Sequence, residues 1–271
     1  QDQKSERISL TVANFFLKKS ISVVVEDTYQ KRLGLPSLSS VDQKKIKFLI
    51  TMGGDGTILK IAHQYAHLNA AILGVNLGSL GFMADVQITQ IEERLEEFLK
   101  GQFKIEKRMT VDVITQHQKA FFAINECTLH WAKNPSLVEI SIFVNDRLLN
   151  TFEADGIILA TPNGSTAYSL AAGGPILSPN LDALVLTPIN PHTISNRPIV
   201  LTTNETIRLE YISKKEAIEV ILDGYNRFQL KTGEHILLKR SAKTFNLVKL
   251  DSINYFETLR KKLGWTGKLR H

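Results

Sequence analysis

The chain changes character near Arg108, and that change constrains its fold more than any other feature. Before it, apolar residues alternate between helical and strand spacing. RISLTVANFFLKK places Ile8, Val12, Phe15 and Phe16 on one helical face. ISVVVED follows as a strand of the buried type. After a turn-rich segment, KIKFLITM predicts a strand over residues 45–52, TILKIAHQYAHL a helix and AAILGVN a strand over 70–76. The loop LGSLGFMAD leads into ITQIEERLEEFLKG, an amphipathic helix with Ile88, Ile91, Leu95 and Phe98 on its apolar side and Gly101 as its stop. This alternation predicts an α/β domain built on an open parallel sheet. Such domains open on a strand and this chain opens on a helix, so a first strand is expected to lie outside it.

From residue 108 the segments MTVDVIT, AFFAINECTLH, VEISIFVND, GIILAT, ALVLTPI, ETIRLEYI, AIEVILDG and HILLKRS succeed one another with turns between them. They predict a β-rich, sandwich-like second domain. One helix interrupts it, STAYSLAAGG, with Ser165 as its N-cap and the glycine pair as its stop. SINYFETLRKKLGW predicts a helix over 254–263 with basic last turns. The expected division is an α/β domain over 1–107, a β-rich domain over 108–250 and a tail over 251–271 that packs back on the first domain.

Composition excludes several classes. With 43% hydrophobic and 22% charged residues the balance is that of a water-soluble domain. The formal charge of +6 suits an anionic ligand. No Lys/Arg stripe with interleaved aromatics is present, which argues against nucleic acid, and no apolar run approaches the roughly 18 residues of a membrane span. The single cysteine, Cys127, excludes an intrachain disulfide. The opening QDQKSERISL has no signal-peptide pattern, so the cytoplasm is the expected location.

The chemistry concentrates in a few polar, glycine-bearing stretches. In TMGGDGTILK, Gly53, Gly54 and Gly56 stand between a strand and a helix. Glycines let a ligand approach the backbone, and amide groups at a helix start bind anions. Asp55 in such a phosphate cradle would repel phosphate unless it had a task. It suits orienting or deprotonating an attacking hydroxyl, and equally holding Mg²⁺. The same run also suits a tight strand–helix turn with no ligand. Neither GxGxxG nor GxxxxGK[ST] occurs.

Asn125 and Glu126 stand in an otherwise apolar strand, where neighbours face opposite ways. EADGIILATPNGSTAYSLAAGGP is the densest polar-glycine segment: Asp155 precedes a strand, and the loop 161–164 feeds a helix through Ser165 and Thr166. Its hydroxyls and amides suit a ribose, amide or phosphate, and Tyr168 suits covering a base. Asp223 and Gly224 read first as a hairpin turn. NPHTISNRPIV, with His192, Ser195, Asn196 and Arg197, reads as a structured loop. His63 and His67 lie four apart but lack a third ligand nearby, and GxSxG is absent.

Taken together, GGDGT, GVNLGSLGFM, NEC, DGIILATPNGSTAYSLAAGGPI, PHTISNRPIV, the later DG and the closing LRKKLGW resemble the NAD kinase family over nearly the whole chain. GGDGT alone is shared with diacylglycerol-type lipid kinases and phosphofructokinases, and the ordered set is far more specific. The resemblance implies phosphorylation of the adenosine-ribose 2′-hydroxyl of NAD, giving NADP. The implied donor is ATP or inorganic polyphosphate, used with Mg²⁺ or another divalent cation. It also implies homodimers or homotetramers in which a neighbouring subunit contributes to the NAD site.

Carried over by motif, Asp55 resembles the catalytic aspartate, and Gly53, Gly54, Gly56 and Thr57 the phosphate-handling residues around it. Asn76 and Phe82 resemble site-lining residues, and Asn125 and Glu126 ribose and adenine contacts. Asp155 resembles a carboxylate that binds NAD across the subunit boundary. Ser165, Thr166, Ala167 and Tyr168 resemble further NAD contacts, as does Asp223. Asn163 stands where many members have Thr or Ser, and adjusted contacts are expected there. No metal ligand is carried over. A lipid kinase and a non-catalytic NAD sensor are the alternatives; the segment from Asp155 to Tyr168 argues against the first and the intact Asp55 against the second.

Overall fold

The helical stripe at the start of the chain finds its core. In the computed structural model, which describes residues 2–78, 80–131, 137–193, 196–214 and 216–265, α1 spans Asp2–Lys18 and buries Ile8, Val12 and Phe16, with Phe15 partly buried. ISVVVED, expected as a strand, is not one. Val25 makes a single parallel bridge to Ser37, and residues 21–26 are exposed or half-buried. A strand is stabilised by neighbours that pair with its backbone, and no described strand pairs with this segment.

The chain continues through α2 (Gln30–Leu33), β1 (Phe48–Gly53), α3 (Asp55–Gln64), β2 (Ala71–Asn76), β3 (Val86–Gln87), α4 (Ile91–Leu99) and β4 (Phe103–Thr115). Then come β5 (Ala120–Ala123), β6 (Glu126–Trp131), β7 (Val138–Val144), β8 (Arg147–Ala154), β9 (Gly156–Ala160) and α5 (Tyr168–Ala171). The last elements are β10 (Ala183–Ile189), β11 (Ile199–Thr202), β12 (Ile207–Tyr211), β13 (Ile218–Leu222), β14 (Asn226–Leu230), β15 (His235–Leu250) and α6 (Tyr255–Leu263). Two units result: residues 1–107 with 246–271, and residues 108–245.

In the first unit β1 and β2 pair in parallel from Phe48↔Ala71 to Gly53↔Asn76. The end of β15 joins β2 through Leu247↔Ile72 and β3 joins it through Val75↔Val86, both in parallel. All six residues of β2 are buried, as a strand covered on both faces requires. Leu73, Val75, Leu95, Phe98, Val248 and Leu250 close the core with the α1 stripe. α6 is capped by the Asn254 side chain, which accepts from the amides of Phe256 and Glu257.

The second unit holds a six-stranded antiparallel sheet in the order β11-β10-β9-β6-β13-β14. A second set runs β15-β12-β7-β8, with β4 and β5 attached. Buried residues from both, including Val111, Ile140 and Leu209 from one and Leu129, Ile157 and Val220 from the other, form one core. That is sandwich packing.

Besides the two-residue β3 and the second half of β15, three strands carry no clear signal in the sequence: β8, β11 and β14. Each ends its row of paired strands, where one side meets solvent and the apolar pattern fades. AFFAINECTLH, expected as one strand, is broken at Ile124–Asn125 into β5 and β6. The helix expected over 165–174 is also broken. A 3₁₀ turn, Gly164–Thr166, gives way at Ala167 (φ −101°, ψ −128°) to the single turn of α5, so Ser165 caps no helix.

Candidate active site

Because Gly53 stands opposite Asn76, the loops that follow β1 and β2 leave from the same edge of the sheet. At the carboxyl ends of parallel strands, that edge is where α/β sheets place ligands. Asp55 is the first residue of α3, and its side chain reaches across to the second loop. Its Oδ2 accepts from the Phe82 amide at 2.8 Å, and its Oδ1 from the amides of Met83 and Ala84 at 3.0 Å each. Asn76 holds the same loop: its Oδ1 accepts from the Gly78 amide at 2.8 Å and its Nδ2 donates to the Ala84 carbonyl at 3.3 Å. The Asp55 carboxylate is thereby fixed, half-buried, by charge-assisted bonds. A carboxylate has about four lone-pair positions, and the lightly used Oδ2 keeps capacity for one more donor.

The glycines of the turn serve purposes other than unusual backbone angles. Gly54 is extended (φ −101°, ψ −170°), and neither Gly53 nor Gly54 has a positive φ. Gly53 is required by packing, since a Cβ there would stand 2.2 Å from the Thr57 hydroxyl oxygen. At Gly54 a Cβ would meet nothing within 4 Å, so this exposed residue leaves open space at the start of α3. Gly56 is exposed and Thr57 half-buried, its amide bonded to the Gly54 carbonyl at 2.9 Å. Phe82 packs its ring 6.3 Å from that of Tyr255, with the Lys262 ammonium 5.8 Å from the Phe82 ring centre.

The same loop rests on a pair that the sequence pattern did not single out. Lys249 and Asp85 form an ion pair with side chains only 6% and 5% exposed. Burial pushes the Asp85 carboxyl up to about 6, with the Lys249 charge acting against it.

In the second unit Asp223 does what Asp55 does in the first. Its Oδ2 accepts from the Ile124 amide at 2.7 Å, and its Oδ1 from Asn125 and Glu126 at 2.7 and 3.0 Å. Those bonds explain the break between β5 and β6. The turn carrying Asp223 is the expected hairpin, with Asp223 and Gly224 both left-handed at φ 50° and 75°.

Around Asn125 the packing is close. Thr161 Oγ1 donates to the Ile124 carbonyl at 2.6 Å, the Thr161 amide donates to the Asn125 carbonyl at 2.8 Å, and Asn163 Nδ2 donates to Asn125 Oδ1 at 2.6 Å. A Cβ on Gly164 would stand 2.1 Å from the Asn125 carbonyl oxygen. Glu126 presents a buried Oε2 with no hydrogen-bond partner. Burial, and then the Asp223 charge, push its carboxyl up to about 8.

The remaining candidates are placed less alike. Ser165 is fully buried, its hydroxyl donating to the Pro162 carbonyl at 2.7 Å and accepting from the Leu177 amide at 3.0 Å. Thr166 and Ala167 are half-buried and Tyr168 is 43% exposed. Asp155 lies between β8 and β9 and accepts from Asn190 Nδ2 at 2.9 Å. His63 lies on α3 and His67 in the 3₁₀ turn after it, where it pairs with Gln43 at 3.3 Å. Among the described residues no group of three His, Cys, Asp or Glu side chains is arranged to hold a metal ion. Cys127 is buried and its thiol is pushed well up by that burial. Arg197 and Asn196 lie in the proline-bound loop, and Ser195 lies outside the described residues. No described helix is long and apolar enough to cross a membrane.

Known proteins resemble this chain over nearly its whole length. Residues 1–103 match the family model of the ATP-NAD kinase N-terminal domain, and residues 124–250 that of the ATP-NAD kinase C-terminal domain. The NAD kinase of Protochlamydia amoebophila is 47% identical over 266 residues, covering 98% of this chain and 95% of the relative. That of Shewanella halifaxensis is 40% identical over 256 residues, covering 91% and 82%. Among solved structures, yeast NADH kinase complexed with NADH matches at a TM-score of 0.84 and 24% identity, covering 98% of this chain and 85% of that one. An Archaeoglobus fulgidus NAD kinase in complex with ATP matches at 0.71 and 24%, covering 92% and 94%. The two structures share the fold; the sequence relatives and the two family models go further, and by them the chain belongs to the NAD kinase family.

Proposed function

We propose that this chain carries out its family's reaction, ATP-dependent phosphorylation of NAD to NADP, with Asp55 orienting the adenosine-ribose 2′-hydroxyl that accepts the phosphoryl group. One observation supports the part given to Asp55. Its carboxylate is fixed by three amides and keeps capacity on Oδ2 for one further donor. A hydroxyl donating there has its oxygen lone pairs turned toward an incoming phosphorus. An ordinary aspartate is a weak base for a sugar hydroxyl, so orientation contributes alongside acceptance of the proton.

The open backbone at Gly54 and the start of α3, with Gly53, Gly56 and Thr57 around it, suits the donor phosphates. Mg²⁺ or another divalent cation, if bound with the donor, would supply charge neutralisation. The carboxylate of the turn that would meet such an ion is Asp55, through water, since its remaining Oδ2 position is given to the hydroxyl. The same contacts suit inorganic polyphosphate as a second donor. Asn125, Glu126, Asn163, Thr166, Ala167, Tyr168 and Asp223 supply the amides, carboxyls and aromatic face that a dinucleotide needs, while Asn76, Phe82 and Ser165 hold the loops. The reading includes a cytoplasmic homodimer or homotetramer in which Asp155 meets NAD held by a neighbouring subunit.

The test is one assay. Purified protein is given NAD, Mg²⁺ and either ATP or polyphosphate, with NADP as the readout and diacylglycerol as the competing acceptor. NAD returned unphosphorylated under all conditions would overturn the reading.

A further inference from the structure

We propose that the buried Lys249–Asp85 ion pair is a positioning pair for Asp55, setting the 82–85 turn so that its amides meet the Asp55 carboxylate. The inference rests on the catalytic part given to Asp55 above.

Phe82 is held at both ends of its peptide units: its amide donates to Asp55 Oδ2 at 2.8 Å, and its carbonyl accepts from Lys249 Nζ at 3.3 Å. Ala84 donates to Asp55 Oδ1 at 3.0 Å, and the next residue, Asp85, carries the carboxylate paired with Lys249. The ammonium therefore grips the turn on both sides of the Met83 and Ala84 amides and directly after that of Phe82. Lys249 is the second-last residue of β15, and Asp85 directly precedes β3; both strands pair with β2. The pair thus ties the turn to the sheet that also carries Asp55, through β1.

Energetics points the same way. A buried ion pair is commonly no more stabilising than apolar groups of the same shape. This one leaves Asp85 Oδ1 buried without a hydrogen-bond partner, a further cost. Stability alone gives no reason for such a pair, whereas fixing a turn by two directional contacts does. The charged groups that act on Asp85 are Lys249, Asp55 and Glu106, so the Asp55 charge is also felt at the pair.

The test replaces both charges together, in Asp85→Leu/Lys249→Met, with melting curves and separate kcat and KM values for NAD and ATP. The expected result is a folded protein with kcat lowered about 10- to 100-fold and both KM values nearly unchanged, because the groups that bind substrate remain and only the orientation at Asp55 is lost. A folded double variant with wild-type kcat, or one in which only KM rises, overturns the proposal. If the double variant does not fold, Asp85→Glu decides, since it keeps both charges and moves the carboxylate by one methylene. It should lower kcat with KM retained, and wild-type kcat there overturns the proposal equally. Asp55→Asn is measured alongside. Normal turnover in that variant removes the catalytic reading itself, whereas a loss confined to Asp55→Asn removes only the role of the pair.

Discussion

A Cβ on Gly81 would stand 2.0 Å from Oδ1 of Asp55. No side chain fits there without moving a carboxylate that three amides hold. Gly81→Ala is therefore expected to displace Asp55 rather than to disturb the rest of the fold. The outcome should be a kcat lower by about 10- to 100-fold with KM for NAD little changed, and a stability loss of about 1–3 kcal/mol from overpacking. Steady-state kinetics and urea unfolding check both.

Asp55→Asn separates charge from shape. The asparagine oxygen can still accept from Met83 and Ala84, but its NH₂ then faces the Phe82 amide, donor against donor. Turnover should fall by at least about 100-fold, with stability lower by about 1–3 kcal/mol for the unsatisfied amide. NADP formation measured beside a melting curve tests it; near-normal turnover would remove Asp55 from the mechanism.

Asp223 sits at φ 50°, a left-handed position that asparagine tolerates and alanine does not. Asp223→Asn keeps the turn and loses the charge that satisfies Ile124, Asn125 and Glu126. It should raise KM for NAD more than it lowers kcat, at a stability loss of about 1–3 kcal/mol. Asp223→Ala should lose more, through added backbone strain. Comparing the two variants by unfolding and by KM distinguishes the clamp from the turn.

Glu126 gives a pH dependence of definite sign. Its carboxyl is pushed from 4.5 up to about 8, first by burial and then by the Asp223 charge. Between those values the folded state keeps a proton that the unfolded state has lost. The contribution is complete below pH 4.5, declines as pH rises and is gone above about 8. Glu126→Gln cannot ionise, so its stability should fall less between about pH 5 and about pH 9, by on the order of 2–4 kcal/mol. Asp85 contributes with the same sign in a lower window, from 3.8 to about 6. Urea melts of wild type and Glu126→Gln across that range would show parallel curves if the side chain were ionised throughout.

Local spacing was enough for α1, α4 and β2, because each buries an apolar face that its own sequence displays, and α3 does the same with Ile58, Leu59 and Ala62. β1 and α6 are also where the sequence puts them, though β1 is only half-buried and α6 buries little beyond Thr258 and Leu259. ISVVVED has β-type residues but no described strand beside it, so it forms none. Local spacing passed over β8, β11 and β14, whose positions at the ends of their rows leave them half-polar. It ran one strand through Ile124 and Asn125, where a distant carboxylate draws off the amides.

By itself the sequence determined where polar and glycine residues interrupt its apolar segments. Asp55 lies between glycines at the end of a strand, Asn125 and Glu126 stand in an apolar run, and Asp223 occupies a turn, all read from residues next to them. Only the tertiary structure decided what those side chains hold. The amides on Asp55 are 27 to 29 positions away, those on Asp223 are 97 to 99 away, and Lys249 is 164 from Asp85. Helix and strand periods relate residues a few positions apart. Contacts at these separations exist only once parallel strands have brought two loops to one edge, or a hairpin has been laid beside a strand, and burial has then made an unpaired amide or charge too costly to leave.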